Sequence, residues 1–147
     1  MTLLELVGNT PLVELNRLNP NPKVKLYAKL EGNNPGGSVK DRPAKYMILK
    51  AQERGLLKPG MKLVEATSGN TGIALAMIAA VAGYEMHLVM PESATAERVR
   101  TMRAYGAVVH LTPADRGMEG TIDYAKAMVA KVCVGLHICN IARIGFR

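Results

Sequence analysis

Between residues 62 and 131 the chain alternates three times between a short β-type run and a longer helical stretch. This alternation restricts the fold more than any other feature. "KLVEAT" (62–67), "EMHLVMP" (85–91) and "AVVHLT" (107–112) have the length and composition of strands. Helix-length segments follow each in turn: "NTGIALAMIAAVAG" ending at Gly83, "TAERVRTMRAYG" ending at Gly106, and "GMEGTIDYAKAMVAK". Successive parallel strands need a crossover of about a dozen residues, which a helix supplies. The pattern predicts an α/β fold, an open and mostly parallel sheet flanked by helices. The 70–83 segment is apolar on nearly every side, so it is expected as a buried layer.

Upstream, "TPLVELNRL" (10–18) and "KVKLYAKLE" (23–31) read as β segments joined by the turn cluster "NPNPK". After "GNNPGGS" the pattern becomes helical. Ser38 is the expected N-cap, with Asp41 three residues on in the manner of a capping box. Tyr46, Met47, Ile48 and Leu49 supply apolar groups, and Gly55 is the expected stop. Pro43 delays regular helix because it lacks a backbone donor. Beyond Lys131 neither alternation nor a helical stripe persists. Residues 132–147 are therefore expected as an atypical tail. Cys133, His137 and Cys139 in that tail fall short of the four ligands of a closed zinc site, so no metal is expected.

Composition narrows the partners. The chain has 147 residues, 48% hydrophobic and 21% charged, enough for one domain with a real core. Its net charge of +7 is scattered, with one denser run in "ERVRTMR" (97–103). Nucleic-acid binding calls for a concentrated patch, often with stacking aromatics, and neither is evident. A small anionic ligand suits the charge as well. No apolar run approaches the ~20 residues of a membrane helix. "MTLLELVGNTP" has no basic region or cleavage pattern of a secretory leader, and two Cys make no disulfide framework. The expected compartment is the cytoplasm.

Two stretches carry chemistry. "NNPGGSVKDRPA" (33–44) holds Lys40 at a glycine-to-helix junction. It reads either as a solvated first turn or as a reactive amine whose pKa a cleft would lower. "EATSGNTGIALA" (65–76) places Thr67, Ser68, Gly69, Asn70 and Thr71 where a strand turns into an apolar helix. Free N–H groups at a helix start, with hydroxyls and an amide, suit a carboxylate or phosphate. A capped tight turn needs the same residue types. In an open parallel sheet, ligands sit beyond the carboxyl ends of the strands, which is where this loop falls. An amine beside an anion cradle is what pyridoxal-phosphate chemistry on an amino acid requires.

"GNTPLVEL", "KLEGNNPGGSVKDR" and "EATSGNTGIALAMIAA", in this order and spacing, resemble the fold-type II pyridoxal-phosphate enzymes, and within them the cysteine synthases. "MRAYGA" (102–107) and "GMEG" (117–120) are similar to the B-type branch. The resemblance runs from about Leu4 to Lys131. It implies that Lys40 carries pyridoxal 5'-phosphate on its amine and moves the substrate's α-proton. It implies that Asn70 faces the cofactor's 3′ oxygen and that Thr67, Ser68, Gly69, Asn70 and Thr71 hold the substrate carboxylate. The implied reaction replaces the leaving group of O-acetylserine or O-phosphoserine with sulfide, giving L-cysteine, and the implied assembly is a homodimer. Alternatives are a cystathionine β-synthase, a serine/threonine dehydratase, or a non-catalytic remnant that pairs with intact subunits. Family members are roughly twice this length, and their Gly/Thr-rich phosphate loop has no counterpart here. A truncated or frameshifted product, weakly active or inactive, is the expectation.

Overall fold

The computed structural model of the chain describes residues 1–131 and 135–137. Six strands and four α-helices follow one another: β1 (Leu12–Glu14), β2 (Tyr27–Lys29), α1 (Asp41–Glu53), β3 (Lys62–Ala66), α2 (Asn70–Ala82), β4 (Glu85–Pro91), α3 (Ala96–Ala104), β5 (Val108–Thr112), α4 (Gly117–Lys131) and β6 (Gly135–His137). The main sheet has the order β5-β4-β3-β6, and each of its pairings is parallel. The expected alternation is therefore present. Helices α2, α3 and α4 each cross over between strands that run the same way.

Strand alternation divides the core. Leu63, Met86, Leu88 and Met90 join the α1–α2–α3 side, while Val64 and Val89 pack with Ala125 of α4. Helix α2 is enclosed, with Ala74, Leu75, Ala76, Met77, Ile78 and Ala79 all buried. This follows from its position, since it contacts β3 and β4 on one side and α1 and α3 on the other. Gly83 ends it in a left-handed conformation (φ 77°), which glycine adopts without steric penalty. Helix α1 is one-sided, burying Ala44, Ile48 and Ala51 at i, i+4 and i+7.

Two expectations need correction. The 10–18 and 23–31 segments form strands of only three residues, each followed by a 3-10 turn, at Asn16–Leu18 and Glu31–Asn33. They pair antiparallel with each other as a separate hairpin, with flanking bonds from Leu15 N to Leu26 O (2.8 Å) and from Leu30 N to Pro11 O (2.9 Å). The turn cluster between them is closed by Asn side chains, which accept from the Asn21 and Lys23 amides. The second correction concerns α1. Its N-cap is Lys40, not Ser38, and no side chain caps it. The Ser38 hydroxyl accepts instead from the Lys40 amide at 3.1 Å, inside the turn before the helix. Cys133 and Cys139, weighed as metal ligands with His137, lie outside the described residues.

Candidate active site at the carboxyl end of the sheet

Strand β3 delivers the chain into the Thr67–Gly69 turn, and α2 starts at Asn70. The turn is tied to its neighbours by backbone. Thr67 N donates to Val89 O of β4 at 2.9 Å, and Arg98 of α3 reaches Ser68 O from 3.4 Å. Gly72 permits close approach here. A Cβ at that position would stand 2.9 Å from Thr67 Cγ2 and 2.7 Å from Met102 Cε. The N-cap is Gly69, so no side chain caps α2. Among the described residues the side chains of Thr67, Ser68, Asn70 and Thr71 make no hydrogen bond. Residues in a merely capped turn bond their own backbone; these do not. Their hydroxyls and amide, together with the N–H groups of Asn70 and Thr71, remain available for an anion, which the positive end of a helix favours.

Lys40 stands at the head of the neighbouring helix. Helices α1 and α2 each have 13 residues and pack side by side. Near their ends, Gln52 Nε2 of α1 donates at 3.0 Å to the hydroxyl of Tyr84, two residues past α2. The carboxyl-terminal ends of the two helices therefore lie together. The five loop residues predicted from sequence are contiguous at the β3–α2 turn, and Lys40 stands at the start of α1. The Lys40 side chain is exposed, so the desolvating cleft expected around it is not formed by the described residues.

A polar clamp that sequence reasoning missed holds the base of the Lys40 loop. The Arg42 guanidinium grips Glu31 with two bonds of 2.8 Å, from Nε to Oε2 and from Nη2 to Oε1. Thr10 donates to Glu31 Oε1 at 2.9 Å and accepts from Arg42 at 3.0 Å. The Asn34 amide donates to Glu31 Oε2 at 2.9 Å, while its carbonyl accepts from Gly8 N at 2.9 Å. The Arg42 bonds hold the Glu31 carboxyl down at about 2, against the opposing effect of partial desolvation. The clamp joins the N-terminal segment to both sides of "NNPGGSVK". No local pattern marks it, because Thr10, Glu31 and Arg42 are far apart in the chain.

An exposed lysine at the head of α1 and a polar turn at the head of α2 are carried by an open parallel sheet flanked by helices. The family model for pyridoxal-phosphate dependent enzymes matches residues 3–140, and the chain belongs to that family. Among its relatives, the cysteine synthase B of Salmonella typhimurium is 58% identical over 127 residues, 86% of this chain and 42% of that one. A cysteine synthase B from Pseudomonas syringae is 56% identical over 130 residues, covering 88% of this chain and 77% of its own. A solved cysteine synthase from Entamoeba histolytica superposes with a TM-score of 0.88 at 39% identity, over 93% of this chain and 42% of the other. The chain thus spans 42% of the length of the Salmonella relative. Among the described residues no helix is long and apolar enough to cross a membrane.

Proposed function

We propose that this chain carries the lysine and the carboxylate cradle of a cysteine synthase, which replaces the leaving group of an O-activated serine with sulfide. The observation that carries this reading is the 67–71 loop, whose polar side chains the fold itself leaves unused. The relatives named above are cysteine synthases, and none is a cystathionine β-synthase or a dehydratase. Pyridoxal phosphate, when bound, supplies the electron sink that makes the substrate's α-proton removable. Lys40 is the residue that would hold it and then accept that proton on Nζ. An exposed amine at a glycine-flanked junction suits the two duties, because it is free to swing between them. Asn70 would face the cofactor. Thr67, Ser68, Gly69, Asn70 and Thr71 would hold the substrate α-carboxylate through hydroxyls and N–H groups. Each such bond to a charged carboxylate is worth on the order of 1.5–3 kcal/mol.

The same reading makes residues 1–34 part of a larger second domain, 35–131 the small domain and 132–147 a tail, in a cytoplasmic homodimer. With 42% of the relative's length, the chain alone is expected to turn over weakly or not at all. The test has two arms. Borohydride added with pyridoxal phosphate should fix the label on Lys40; label on Lys29 or Lys45 instead overturns the assignment. Where the chain is extended to the relatives' length, Ser68→Ala and Thr71→Ala should raise KM for the amino-acid substrate while the cofactor stays bound. Unchanged kinetics in both would reduce the loop to a turn.

A further inference from the structure

Asp41 is the first residue of α1, a position where a carboxylate ordinarily points into water beside the helix dipole. Here it is fully buried. Its Oδ2 accepts the Gly36 N–H at 2.5 Å, while its Oδ1 is shut from solvent with no partner. The side chain has turned back along the chain and closed a ring that runs from Gly36 to Asp41. Gly36 is fitted to that closure. A Cβ there would lie 2.5 Å from Oδ1 and 3.0 Å from both Cγ and Oδ2. Gly37 has a different task, taking the left-handed turn (φ 82°) and donating its N–H to Asn34 O at 2.8 Å. Inside the ring, Ser38 accepts the Lys40 amide on its hydroxyl and the Asp41 amide on its carbonyl, at 3.1 and 3.3 Å. Lys40 is therefore held by backbone on both sides, while its own side chain makes no ion pair or hydrogen bond among the described residues.

We propose that Asp41 is the positioning residue of Lys40: by closing the Gly36–Asp41 ring it fixes the direction in which the Lys40 amine leaves the backbone. The proposal rests on the reading of Lys40 as the cofactor-bearing amine. A lysine stem is long and has many rotamers, so an exposed amine can be aimed only through its backbone. Enclosure at such a site disfavours the charged form of the carboxyl. Burial indeed pushes its pKa up, against the Gly36 bond that lowers it.

The experiment compares the full 147-residue chain with its Asp41→Asn, Asp41→Ala and Gly36→Ala variants. Two quantities are read: amide hydrogen exchange at Gly36 and Gly37, and the distribution of borohydride-fixed pyridoxal phosphate over the lysines by peptide mapping. Amides of β3 and β4 serve as the fold control. Asp41→Ala and Gly36→Ala, which attack the bond from opposite sides, should speed exchange at Gly36 at least tenfold. Both should also lower the Lys40 share of the label at least fivefold, with β3 and β4 still protected. Asp41→Asn keeps an acceptor for Gly36 and stays within twofold of the parent in both readings. Unchanged protection at Gly36 in the Ala variants, or an Asn variant that behaves like Ala, overturns the proposal. A parent chain with no label on Lys40 refutes the proposed function instead. Exchange at Gly36 needs no cofactor and still decides whether Asp41 closes the ring.

Discussion

Replacing Gly72 with Ala sets two known effects against each other at the entrance to α2. A glycine in a helix interior is worse than alanine by ~0.8–1 kcal/mol, so propensity alone favours the substitution. Space opposes it. The new Cβ would sit 2.7 Å from Met102 Cε and 2.9 Å from Thr67 Cγ2, well inside the ~3.5–4 Å of an ordinary carbon contact. Met102 can swing its terminal methyl aside, but Thr67 is short, β-branched and stiff about χ1. Its backbone is also pinned by the bond to Val89 O. Overpacking of this kind costs about 1–3 kcal/mol, which leaves a net loss of about 1 kcal/mol, or roughly 2–4 °C in Tm for a chain of this size. Thr67→Ser deletes Cγ2 and keeps the hydroxyl, so Gly72→Ala should be tolerated in that background. Urea or thermal unfolding of the four chains in a double-mutant cycle gives the coupling directly, and about 1 kcal/mol is expected. A coupling indistinguishable from zero, or a Gly72→Ala chain that gains the full propensity benefit, would refute the reasoning.

Two further predictions concern the core and acid. Ile48, fully buried between α1 and its neighbours, should cost about 2–5 kcal/mol when cut to Ala, read as a lower urea midpoint. Acidification should weaken the fold in two stages, followed by the denaturant midpoint against pH. His110 is held below the ordinary imidazole value of 6.5, first by burial and then by the charge of His87 across the 2.9 Å contact between their rings. The unfolded chain therefore takes up that proton first, and stability falls as pH drops through 6.5 towards the folded value. Glu31 is held at about 2, against an ordinary value of 4.5. Its contribution is complete above 4.5 and is lost as pH falls towards about 2. Arg42→Gln should shrink the lower stage and leave the upper one in place; an unchanged lower stage counts against the clamp.

The sheet and its crossovers were legible because period and length are local properties. "KLVEAT", "EMHLVMP" and "AVVHLT" became β3, β4 and β5 within a residue of their expected ends. The 67–71 loop was legible for the same reason, being contiguous. Boundaries failed where a side chain had a choice of partners. Ser38 could cap a helix or brace a turn, and it bonds the Lys40 amide within the turn. Asp41 has an acidic first-turn position by sequence but a buried one in the fold, and only the approach of Gly36 reveals why. Arg42 reaches Thr10 across 32 positions and Glu31 across 11. Contacts of that separation are set by the packing of whole elements, which periodicity does not encode.

The β1–β2 hairpin has a consequence for the order in which the molecule comes apart. Its strands are three residues long and pair with nothing else among the described residues. A two-stranded ribbon of this kind is marginal by itself. It persists because Thr10, Glu31 and Arg42 clamp its end and Lys29 Nζ reaches the Thr10 carbonyl. Local opening free energies follow such differences in support, so the hairpin constitutes a cooperative unit of its own, looser than the parallel sheet. When it detaches, Glu31 leaves with it, and Arg42 and Asn34 lose their common partner in the same event. The anchor at the base of the Lys40 loop then goes before any strand of the sheet has frayed. Order in the Lys40 loop is thereby tied to a looser piece of the described structure, and heat or denaturant would release that loop while most of the fold still stands.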